Sequence, residues 1–195
     1  MQVNIARAPA GSTSGMEPVV AWHTEHAYFN QLLEMLKKQV DLFHRGTSPN
    51  YELMLDIITY LREYSDRYHH PREDVAFARL APRCPDLALP LARLAQEHRV
   101  IARAGETLRK LIQSVINGAV IPRSEVEVAA ATYLVYYGNH IAKEEEDVLA
   151  RAAKELSPED WQAVRDAVPP GKDPLFGGNG EERYRELRRQ IALEN

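Results

Sequence analysis

The sequence predicts an all-α protein, an up-down-up-down four-helix bundle with extra C-terminal helices. Three observations carry that expectation. Apolar residues recur at alternating spacings of three and four through four long segments, the period of a helix that buries one face. Those segments are rich in Leu, Ala, Glu and Arg, which lose little freedom on entering a helix. Short turn-forming stretches separate them, which favours antiparallel neighbours. At 195 residues, 45% hydrophobic and 27% charged, the chain is long enough for one domain with a sizeable core.

Residues 1–18 carry Gly, Ser, Thr and Pro without periodicity and read as a flexible arm. The first helix, from about Val19 to His44, places His26, Phe29, Leu33, Leu36, Val40 and Phe43 on one stripe and ends at Arg45-Gly46. Ser48-Pro49 offers an N-cap and a first helical residue for the second, which buries Met54, Ile57, Ile58, Leu61 and Tyr64. Pro71 has no amide hydrogen and crowds the carbonyl of Arg67, so a kink is expected at His69-His70. The helix then resumes to Arg79, before Pro82 and Pro85.

Asp86 is expected to cap the third helix. Its seam runs Leu91, Leu94, His98, Ile101, Gly105, Leu108, Ile112 and Val115, and it stops at Asn117-Gly118. Ser124-Glu125-Val126-Glu127 has the form of a capping box and opens the fourth, with a seam of Val126, Ala129, Tyr133, Tyr136, His140, Glu144 and Val148. A shorter helix starts at Ser157-Pro158, and a charged one from Glu181 follows the loop KDPLFGGNG. The expected organisation is an arm (1–18), a bundle (19–155) and a helical extension (156–195) that packs across the bundle or a second subunit.

Composition excludes several functions. A net charge of -4 argues against nucleic acid or anionic lipid as a partner, since both need a basic face. No apolar run reaches the roughly 18–20 residues of a membrane span, and the first 18 residues lack the apolar stretch of a secretory signal. A cytoplasmic location is therefore expected. A single cysteine, Cys84, allows neither an internal disulfide nor a multi-cysteine metal site. Gly177 to Gly180 is no phosphate loop, because no strand precedes it and no Lys-Ser/Thr follows. The arginines of the last segment are matched by glutamates and read as a solvated face.

The histidines carry the chemistry. His69 with Glu73, and His140 with Glu144, are each four residues apart, so each pair projects from one helix face. His26 and His98 occupy seam positions where an aliphatic residue would ordinarily sit. Counting along the helices from their turns places His26, His69, His98 and His140 at one level of the bundle, with a mismatch near 5 Å for the last pair. Imidazoles and carboxylates gathered in a core need neutralising charge. Cationic metal answers that need, and a set without thiolates suits iron, zinc or manganese; a metal-free hydrogen-bonded core is the alternative.

At these residues the chain resembles the hemerythrin-like HHE cation-binding family. The matching pieces are Glu25-His26, HHPRED (69–74), Glu97-His98 and HIAKEEEDVL (140–149), in order along residues 19–155. The resemblance implies a non-haem centre of two iron ions, often oxo- or hydroxo-bridged, with zinc or manganese as less expected occupants. His26, His69, His98 and His140 would be terminal ligands, and Glu73 and Glu144 would bridge. Oxygen-carrying members have a second histidine one turn after the first on the third helix, where Ala102 stands here; His70 or His23 is the expected replacement. The implied ligands are O2, NO or peroxide; a homodimer is a separate expectation, tied to the C-terminal segment that packs across the bundle or a second subunit. The expected role is binding or sensing at the metal pair. A catalyst acting on peroxide or NO, and a metal-free or zinc-filled scaffold for a partner protein, are the other readings.

Overall fold

The computed structural model describes residues 16–169, 171–177 and 181–194. Helix α1 (Met16–His44) starts before Val19 and takes in residues 16–18; the rest of the expected arm lies outside the described residues. Gly46, with φ of 77°, turns the chain after it in the left-handed region that glycine adopts freely. Helix α2 (Tyr51–Tyr60) is capped by Asn50, not Ser48. The Asn50 side chain accepts a hydrogen bond from the Leu53 amide at 3.0 Å, the reach an N-cap requires, and Pro49 is left outside the helix.

The irregularity expected at Pro71 takes the form of a π-helical stretch, Leu61–His69, leading into α3 (His70–Leu80). The His70 amide bonds to the carbonyl of Ser65, five residues back. Widening the turn accommodates the proline's missing donor while the helix runs on. Helix α4 (Ala88–Ile116) follows a 3₁₀ turn at Pro85–Leu87. Asp86 does not cap it: Leu87 holds that position, and the Asp86 carboxylate pairs with Arg151 at 3.1 Å. Gly118, with φ of 85°, follows its end.

Helix α5 (Arg123–Lys143) begins behind Pro122, so Ser124 falls inside the first turn and the expected capping box does not form. A second π-helical stretch, Glu144–Val148, joins it to α6 (Leu149–Glu155). Helix α7 (Pro158–Ala167) starts where expected, behind a capping box in which Ser157 and Asp160 bond reciprocally. Helix α8 (Arg185–Glu194) comes after a 3₁₀ turn at Glu182–Tyr184.

α1 packs against α2 and α5, and α4 packs against the same two, which closes a ring of four. α7 lies on α3 and α8 on α2, so the C-terminal extension covers the bundle of its own chain. No strand occurs among the described residues, and none of their helices is long and apolar enough to cross a membrane.

The seams fall where the spacing places them on the first three helices, with Val115 half-buried, while two positions of the fourth pass to their neighbours. On α5 the buried series is Val126, Ala130, Tyr133, Tyr137 and His140, while Tyr136 is 44% exposed. The apolar core is in two parts. One gathers Phe29, Leu36, Ile57, Tyr64, Ile101, Ile112 and Tyr137; the other gathers Trp22, Phe77, Leu80, Leu94, Val148 and Trp161. Along α1, the π–α3 segment, α4, and α5 with the π stretch after it, the buried histidines and glutamates fall between the two sets, as a polar layer across the barrel.

Gly105 marks a close helix contact near that layer. A Cβ there would stand 2.9 Å from Cε2 of Tyr133 and 3.3 Å from Cδ of Arg62. Gly105→Ala is therefore expected to destabilise the fold by roughly 1–3 kcal/mol, the ordinary cost of overpacking. Denaturant unfolding checks it, and unchanged stability would mean the Tyr133 ring moves aside freely.

Candidate metal centre

His26 on α1, His69 on the π-helical stretch, His98 on α4 and His140 on α5 are all buried, and Glu73 and Glu144 are 0% exposed. Their atoms form two convergent groups. In one, Nε2 of His26 and Nε2 of His69 lie 2.9 Å apart. Glu73 Oε1 lies 3.4 Å from the first and 3.0 Å from the second, and Glu144 Oε2 lies 3.4 Å from His26 Nε2. In the other, Nε2 of His98 lies 3.5 Å from Glu73 Oε2 and 3.6 Å from Glu144 Oε1, and Nε2 of His140 lies 3.1 Å from Glu144 Oε1. Each carboxylate thus turns one oxygen to each group.

These groups are short of partners. All four oxygens of Glu73 and Glu144, with Nε2 of His98 and of His140, are buried without a hydrogen-bond partner. Each such atom costs about 1–3 kcal/mol when left unmatched, and buried ones are rare in folded proteins. Six in one layer, all acceptors or potential acceptors aimed at two points, fit cations. The described residues include two sets whose donor atoms lie within 4.8 Å of one another and could hold metal: His26, His69 and Glu73, and His70, Glu73, His98 and His140.

The outward nitrogens explain how the rings are held. Nδ1 of His26 donates to Glu145 at 2.7 Å, that of His69 to Glu25 at 2.5 Å, that of His98 to Asp74 at 2.8 Å and that of His140 to Glu97 at 3.3 Å. Each imidazole is thereby fixed with Nε2 facing inward, the tautomer and orientation a metal ligand needs. The pattern is cyclic: the acid next to one helix's inward residue serves the histidine of the next. Glu25 adjoins His26 but holds His69; Asp74 adjoins Glu73 but holds His98. Glu97 adjoins His98 but holds His140, and Glu145 adjoins Glu144 but holds His26. Arg72 and Tyr64 also bond Glu25, and Lys143 bonds Glu97.

Charge distribution agrees. Burial works against a proton on His26, yet Glu145 and Glu73 prevail and carry its pKa up to about 10. Burial opposes His98 likewise, and Asp74, Glu144 and Glu73 carry it up to about 11. Against its own burial, Glu73 is held well below the usual carboxylate range by His69, His26 and His98. The layer therefore draws positive charge strongly.

A family model, the Hemerythrin HHE cation binding domain, matches residues 17–152. The chain belongs to this family. Comparison with curated proteins and with solved structures gives no match. As a hemerythrin HHE domain the chain is a cation-binding module, and the match spans the helices that carry the six inward residues.

The remaining expected residues of this HHE domain have other surroundings. His23 lies outside both donor groups: one turn before His26, it stays on the exposed face of α1 and bonds Glu145 Oε2 at 2.8 Å. His70 falls within the second group by distance, but its two nitrogens are engaged. Nε2 meets Ser65 Oγ at 3.1 Å, and Nδ1 lies 3.4 Å from Asp66. Burial, and then the proximity of His98, hold its pKa well below the ordinary value. Among the tyrosines near this level, Tyr137 donates to Ser65 and Tyr64 to Glu25. His44, at the end of α1, faces Glu127 at 3.2 Å. Cys84 is free and buried in the second apolar cluster.

Of the four orienting acids, sequence reading assigned Asp74 no role, put Glu145 on a wet surface, and left Glu25 and Glu97 as either solvated or supporting the ligands; all four hold a histidine. A signal existed, because an acid adjoins an inward residue in all four matching pieces.

Proposed function

We propose that the chain binds a pair of iron ions in the polar layer and uses their open positions to bind or sense O2, NO or peroxide. One observation carries the reading: two convergent imidazole groups share the same two buried carboxylates, each with an oxygen turned to either side. His26 and His69 would hold one ion, His98 and His140 the other, and Glu73 and Glu144 would span them. Bound iron supplies reversible electron exchange and coordination of small ligands, and mixed imidazole and carboxylate donors suit it.

The chain's own residues prepare that centre. Glu25, Asp74, Glu97 and Glu145 hold the rings in place. Trp22 and Phe29 pack on His69, and Phe77 packs on His98, covering the layer from its apolar sides. The one further buried imidazole there, His70, turns its nitrogens to Ser65 and Asp66 and away from the centre, which supports a binding or sensing role over a dedicated acid–base catalyst.

Metal analysis of aerobically purified protein tests the reading, with anomalous scattering at the iron edge to place the ions. The expected result is about two iron atoms per chain, one in each of the two donor groups. Iron should also raise thermal stability, because a ligand of the folded state adds about 4 kcal/mol at a thousandfold excess over its Kd. Colourless, metal-free protein whose unfolding temperature ignores added iron would refute the proposal. Spectral changes on exposure to O2, NO or peroxide then identify the ligand.

A further inference from the structure

The two halves of the centre differ in their cover. Over His69 lie Phe29 at 4.9 Å and Trp22 at 6.3 Å between ring centroids, with the Glu25–Arg72 pair beyond its outer nitrogen. On the His98 side the packing opens. A cleft of about 170 Å³ between the π–α3 segment and α4 is lined by Asp66, Pro71, Asp74 and Arg99 and reaches His70, His98 and Ala102. That is room for several waters or one five-membered ring.

Three features make this more than a surface dent. It reaches a buried imidazole whose inward nitrogen has no hydrogen-bond partner. Ala102 lies one helical turn beyond His98 on the same face of α4, and its methyl leaves open what any larger side chain would fill. The His70 ring stacks on that of His98, with centroids 4.3 Å apart and planes 13° from parallel, so it walls the cleft while its nitrogens face Ser65 and Asp66. Arg99 set against Asp66 and Asp74 gives the lining no strong net sign, which suits neutral or singly charged ligands.

Resting on the metal-pair reading, we propose that this cleft is the route by which a small nitrogen- or oxygen-donor ligand, no larger than a five-membered ring, reaches the His98–His140 half of the centre. The His26–His69 half stays closed to it.

Titrating the iron-loaded chain with azide and with imidazole tests this, following iron absorption and, separately, the heat of binding. The unsubstituted chain should bind both saturably. Ala102→Phe, which fills the cleft, should weaken binding by roughly tenfold or more. Arg99→Trp, at the exposed rim, should slow association by roughly fivefold, and it keeps the test alive if the first variant does not fold. Val128→Phe, in the separate groove between α4 and α5, should change neither. Iron content is measured first for every protein. Full iron with no azide or imidazole binding to the unsubstituted chain overturns the cleft alone, as does unaltered binding in the blocking variants. A chain that takes up no metal overturns the metal reading and this proposal with it.

Discussion

If the proposed metal pair forms, Glu73→Gln should lower bound metal from two ions per chain to fewer than one, a larger loss than changing any single terminal histidine. Glu73 is the carboxylate with an oxygen 3.0 Å from His69 on one side and 3.5 Å from His98 on the other, and it belongs to both donor groups. An amide keeps the shape but removes the charge and offers one oxygen where two are needed. Glu144→Gln should do the same, because its oxygens also divide between the groups. A terminal change such as His98→Leu should cost only the ion on its own side while the apolar barrel still folds. Elemental analysis with a folding check by circular dichroism separates these outcomes. Two ions retained in folded Glu73→Gln would show that the carboxylate does not span the pair.

Each orienting acid, changed singly, should weaken metal binding by about 10–100-fold without touching the metal itself. Asp74→Asn and Glu145→Gln are the sharpest tests, since both residues stand partly in water and their loss leaves little uncompensated charge. His98 and His26 would lose the carboxylate that fixes the inward tautomer. Competition with a coloured chelator gives the affinities. Wild-type affinity in both variants would reduce these contacts to surface pairs, worth about 0–1 kcal/mol.

The level of the site was legible because helix rise is nearly constant: four histidines counted from their turns had to meet. The 5 Å mismatch expected between the last two is absorbed, and the rings of His98 and His140 lie 4.6 Å apart between centroids. Helix starts were less legible. Ser48, Asp86 and Ser124 are all competent caps, and local chemistry alone does not decide between them and a neighbour; Asn50 captured the Leu53 amide, and Asp86 was drawn to Arg151 across the fold. Tyr136 and Tyr137 differ by one step of the seam, a difference that only packing resolves. The π-helical stretches had a partial signal in Pro71. The acids were visible but their partners were not: adjacency to an inward residue shows that a side chain points away from it, and says nothing of the helix it points toward.

That cyclic arrangement bears on how the barrel finds its alignment. Apolar seams repeat every three or four residues, so two helices sliding past each other by a turn, about 5.4 Å, would meet almost equivalent grooves. The acid–imidazole belt has no such near-repeat. Each long segment gives one fastening and receives one, so a slip of any single segment undoes two of the four together. The belt serves as an index mark, fixing all four lengths of chain against one another before any ion arrives.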